Sequence, residues 1–79
     1  MDDLLPRGVA GFRIEHRRPD GSVRLLAETT MLSMAHQSAL VWLRRLRRAG
    51  QAGTVVVVLA ASGEVVSARA IDERRADMP

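Results

Sequence analysis

Ser33 and His36 stand three residues apart, and at that spacing two side chains on a helix are neighbours. A hydroxyl beside an imidazole is the beginning of a nucleophile and its base. Nucleophilic catalysis also needs an orienting group and donors for the developing oxyanion. The sequence signals neither, and Ser33 reads more simply as a helix cap. His16, the other histidine, falls on the apolar side of a predicted strand near its polar end, which suits a partly buried or rim imidazole. Two separated histidines in a chain without cysteine do not supply the three or four clustered ligands of a metal site. The pairs Gly8/Gly11 and Gly50/Gly53 bracket a strand start and a helix end and do not form a phosphate loop. No catalytic residue, cofactor or metal site is expected, and the chain is not expected to be an enzyme.

The remaining chemistry lies in arginine. Arg44, Arg45, Arg47 and Arg48 surround Leu46, and guanidinium groups bind phosphate well. Two considerations weaken a nucleic-acid reading. Cations at a helix C-terminus complement the helix dipole in any case. The chain also has one Phe, one Trp and no Tyr, so platforms for base stacking are scarce. The four arginines are expected to be exposed and dispensable to the fold, with nucleic-acid contact as the second reading. All 12 basic residues are Arg, and the net charge is only +3. The pI of 11.3 therefore overstates basicity at neutral pH, because almost nothing titrates between His and Arg. Arginine without lysine, together with abundant Ala, Val and Gly, points to a GC-rich bacterial genome or its phages.

Seventy-nine residues make one domain near the lower limit of independent folding. A core this small rarely supplies more than about 3–5 kcal/mol, and disulfides cannot help because there is no Cys. No apolar run approaches the roughly 18 residues that suggest a membrane span. The start, Met1-Asp2-Asp3-Leu4-Leu5-Pro6, is acidic and unlike a signal peptide. A cytoplasmic protein without membrane association is expected.

The elements that must carry these residues follow from patterning. Residues 1–8 read as a leader and 72–79 as a frayed tail. Residues 9–18 alternate, with Phe12, Ile14 and His16 on one face and Arg13, Glu15 and Arg17 on the other. Pro19-Asp20-Gly21-Ser22 is a turn, and a two-residue Asp20-Gly21 loop would pair Arg17 with Arg24, Glu15 with Leu26 and Arg13 with Glu28. Leu25 and Ala27 then share the core face. Thr29, Thr30 and Ser33 are candidate caps for a helix over about 33–49, which Gly50 ends. Its apolar stripe is Leu32, Ala35, Ala39, Trp42, Leu43 and Leu46, with Trp42 expected to be mostly buried. Met31, Met34 and Val41 run beside that stripe, as core edge or as a second, partner-facing stripe. Strands over 54–60 and 64–71 flank the Ser62-Gly63 turn. The fold predicted is α+β, a ββαββ chain with one helix on a four-stranded, mainly antiparallel sheet in strand order 2-1-3-4.

Thr54-Val55-Val56-Val57-Val58-Leu59-Ala60 is apolar on both faces, so both faces need cover. One helix covers one. Pairing Leu59 with Val66, Val57 with Ala68 and Val55 with Ala70 puts Val56, Val58, Val65 and Ile71, with Ser67 and Arg69, on the opposite face. Val56, Val58, Val65, Arg69 and Ile71 are thus the expected protein interface. A homodimer is the expected use of it, with a host or cognate protein as the other partner.

Gly11-Phe12-Arg13-Ile14-Glu15-His16, the Trp42-Leu43-Arg44-Arg45 helix, Val55 to Leu59 and Gly63-Glu64-Val65-Val66 together resemble, in size, layout and composition, the small accessory proteins of phages and mobile elements of GC-rich bacteria, anti-CRISPR proteins among them. The resemblance implies a protein without enzymatic activity that occupies a surface of a host complex. It assigns no functional residue, and the positive charge departs from the acidic DNA-mimic type. The function expected is a non-enzymatic protein-binding module, an inhibitor or adaptor.

Overall fold

A computed structural model of the chain describes residues 11–71. The expected leader over 1–8 and tail over 72–79 lie outside the described residues. The element order is β1 (Phe12–Arg17), β2 (Val23–Thr29), α1 (Leu32–Arg48), β3 (Thr54–Leu59) and β4 (Val65–Ala70). The strands form one antiparallel sheet in order β2-β1-β3-β4, with the valine strand inside it. The fold is the α+β arrangement that two turn signals, one amphipathic run and one doubly apolar strand require.

The first hairpin turns differently from the two-residue expectation. Gly21 N–H donates to Arg18 O at 2.9 Å, and Arg18 N–H donates to Ser22 O at 2.9 Å. The loop is therefore Pro19-Asp20-Gly21, with proline at the second position of the turn, where its fixed φ fits. The Asp20 carboxylate accepts from the Ser22 hydroxyl and N–H, which holds its pKa below the usual carboxylate value. Pairing then runs Arg17 with Val23, His16 with Arg24 and Glu15 with Leu25, until a bulge resets it so that Ile14 meets Ala27 and Arg13 meets Glu28. Leu26 is the extra residue. A bulge turns two consecutive side chains toward one side, and both Leu26 and Ala27 pack on the core. Leu25, expected in the core, is 52% exposed and sits across from Glu15 on the far face.

The core joins Ile14, Val55, Val57 and Ile71 of the sheet side to Ala35, Leu43 and Leu46 of α1. Ala35 and the half-buried Ala39 bring helix and sheet close together. Trp42 is only half-buried, and the Arg45 guanidinium lies 5.2 Å from its ring centroid. It is an edge of the helix stripe, not the centre expected from its size. Leu32 at the first turn is exposed. Met31 occupies the N-cap without a side-chain cap bond, and Ser33 lies inside the helix. Thr29 Oγ1 instead accepts the Met31 N–H at 3.3 Å. At the other end Gly50 N–H bonds Arg47 O and Gln51 N–H bonds Leu46 O, the paired closure that satisfies the last helical carbonyls.

Arg47 departs from the expectation of four dispensable arginines. Its Nε donates to Ile71 O at 2.6 Å and its Nη2 to Ala70 O at 3.4 Å, so it ties the last turn of α1 to the end of β4. Arg44, Arg45 and Arg48 are exposed. Arg47→Ala should lower stability by about 1–2 kcal/mol through lost charge-assisted bonds. Arg44→Ala and Arg48→Ala should each stay within about 0.5 kcal/mol of the parent. Thermal melts of the three variants check this, and equal losses in all three would refute the clamp.

Candidate functional site

The placement of the expected interface changes with the β3–β4 register. Val57 pairs with Ser67, Val55 with Arg69 and Thr54 with Ala70, one residue off the expected pairs, and a bulge at Val66 leaves Val58 opposite Val65. Ser67 and Arg69 therefore share the helix side with Val55 and Val57. Ile71, one alternation further, is fully buried in the core against α1. Of the five expected interface residues only Val65, 44% exposed, is an accessible apolar group on the far side with Val58. Val56 and Val58 do lie on that face, opposite Glu15 and Arg13, but they are 3% and 1% exposed within the chain itself. They offer no free surface. Glu15 lies between Arg13 and Arg17, which donate to its two carboxylate oxygens at 3.3–3.4 Å.

His16 is buried, not at the rim. One ring nitrogen, Nε2, lies 2.8 Å from Ala52 O and must carry the proton of that bond, while Nδ1 is buried without a partner among the described residues. A single such histidine is a structural brace between β1 and the link that follows α1. Ser33 and His36 are both exposed on α1, and no hydrogen bond joins them. Among the described residues no three of His, Cys, Asp or Glu gather as a metal site. No helix among them is long and apolar enough to cross a membrane.

What the register brings together instead is a cleft. The helix makes its main contacts with β1, β2 and β3, and Arg47 ties its last turn to the end of β4. Between α1 and β4 lies a space of about 190 Å³ lined by His36, Ala39, Leu40, Leu43, Val55, Ser67 and Arg69. Leu43 and Val55 are its buried floor, and His36, Leu40 and Arg69 its exposed rim. None of the described residues that line it is acidic. Its polar groups are an arginine, an imidazole and a hydroxyl, a set that suits an anion beside an apolar group. Sequence reasoning missed this site because it placed Ser67 and Arg69 on the wrong face.

The outer edge of β4 adjoins the cleft. Ile71 N–H bonds Gly53 O at 2.8 Å. Bonded and non-bonded pairs alternate along an antiparallel ladder, so Val55/Arg69 and Val57/Ser67 exchange bonds and Val56/Ala68 does not. Ala68 accordingly aims its N–H and C=O away from β3, and among the described residues no strand pairs with that edge.

No family model, curated protein or solved structure matches this chain.

Proposed function

We propose that this protein is a non-enzymatic protein-binding module that takes up an extended segment of a partner along the outer edge of β4. The observation that carries the reading is the uncovered strand itself. The helix makes its main contacts with β1, β2 and β3, Val65 and Val66 are 44% and 41% exposed, and among the described residues no strand pairs with the outer backbone groups of Ala68. Main-chain bonds to such an edge supply affinity, and pockets beside it supply choice of sequence. An inhibitor or adaptor of a phage or mobile element, acting by occupying a host protein's surface, is the biological form of this reading. A second copy pairing through β4 is the homodimer form.

Ala68→Pro tests it. Proline at an outward-facing edge position removes no bond to β3 but blocks an incoming strand. An array of extended peptides should retain the parent protein and not the variant, with thermal stability little changed, and mass measurement at high concentration should report any self-pairing. Equal binding by parent and variant would sink strand addition.

The exposed Arg44, Arg45 and Arg48 favour nucleic-acid contact as the alternative. Little binding is expected at physiological salt. Submicromolar binding that falls steeply with salt and vanishes on Arg44→Glu with Arg48→Glu would put that alternative first.

A further inference from the structure

We infer that the cleft between α1 and β4 receives the C-terminal residue of the docked segment, an apolar side chain together with its own free carboxylate. The inference rests on the strand-addition reading of β4 and adds to it what the partner must end with. Three features of the cleft select this occupant. Its floor, Leu43 and Val55, is apolar and buried, so a side chain seated there exchanges water for hydrocarbon. Its rim carries Arg69, His36 and Ser67, and none of the described residues lining it is acidic, so the complementary group is an anion. The apolar floor and the cationic rim border one small cleft of about 190 Å³, so a single residue that carries both an apolar group and an anion answers both. A residue with both on one α-carbon is a C-terminal Leu, Ile or Val. An internal Asp or Glu would place its charge a residue away from the apolar side chain.

The position fits the edge as well. Ser67 and Arg69 belong to β4 and point their side chains to the helix side, while Ala68 between them faces its backbone outward. A chain bonded at Ala68 is thereby led to the mouth of the cleft. The Arg69 guanidinium can hold a carboxylate through two parallel donors, which a lysine could not do.

The test uses the full chain and two probes, acetyl-Thr-Val-Thr-Leu with a free C-terminus and the same peptide amidated. Backbone amide shifts report where each binds. The free acid should shift Leu40, Leu43, Ser67 and Arg69 together with Ala68, and should bind at least about tenfold more tightly than the amide. Arg69→Gln, a change at an exposed side chain, should erase the free acid's advantage over the amide. Leu40→Glu at the rim should weaken the free acid more than the amide. Equal affinities for acid and amide would overturn the carboxylate site while leaving strand addition standing. Shifts at Ala68 without shifts at Leu43 would do the same, and no binding of either peptide would remove both.

Discussion

Gly53→Ala is expected to cost about 3 kcal/mol and to be among the most damaging single substitutions in the chain. Gly53 has φ of +109°, a region that residues with a Cβ rarely adopt, and a Cβ there would collide with the carbonyl oxygen of Arg17. The neighbour that would have to move is main chain at the end of β1. Gly53 O also accepts the Ile71 N–H, so a shift at this point loosens the last rung between β3 and the end of β4. Gly63→Ala separates the two causes. Gly63 has φ of +77°, and nothing lies within 4 Å of the point its Cβ would occupy, so only the conformational cost of about 1–2 kcal/mol should appear. Urea midpoints of the two variants compare the effects directly. If Gly53→Ala lost no more than Gly63→Ala, the close approach of the two backbones would be disproved.

Ile14→Ala should cost about 2–5 kcal/mol. Ile14 is fully buried in the middle of β1, where it meets Ala27 on one side and Val57 on the other and lies in the cluster with Leu43 and Leu46. A core this small rarely supplies more than about 3–5 kcal/mol, so the loss is a large share of the whole. The variant should unfold at a much lower urea concentration with an unchanged slope. Ile14→Val, which removes one methylene, should cost only about 0.5–1.5 kcal/mol. Similar midpoints for the two would mean that the site relaxes around the missing atoms and that the core centre lies elsewhere.

These two sites differ in how far the sequence exposes them. Ile14 is legible: it alternates with Arg13 and Glu15, and alternation on a paired strand assigns it to the covered side. The strand order is legible for a similar reason, because a run apolar on both faces must lie inside the sheet. The register is not. Strand side chains have a period of two, so a single extra residue reverses the face of everything beyond it. The three-residue turn shifts the tip of the first hairpin by one position until the bulge at Leu26 restores the pairing, and the pairing around Ser67 is shifted by one. These shifts moved Leu25 out of the core and brought Ser67, Arg69 and Ile71 to the helix side. The cleft exists only with that parity, so no pattern in residues 64–71 announces it. Arg47 was hidden by its neighbours. Among four arginines around one leucine, composition does not say which meets the carbonyls of Ala70 and Ile71.

The two irregular rungs fall in β2 and β4, the outer strands, while the β1–β3 ladder between them runs without a shift. A sheet with two straight borders can stack border to border without limit, and molecules in a crowded cell then grow into fibrils. Here each border is bent by an extra residue, so a regular copy of itself cannot lie along its whole length. Growth by repeated addition is thereby disfavoured, because each irregular rung interrupts the bond pattern that a further copy would have to continue. On the strand-addition proposal, the irregular rung in β4 would limit pairing to a short guest and disfavour unlimited stacking of copies.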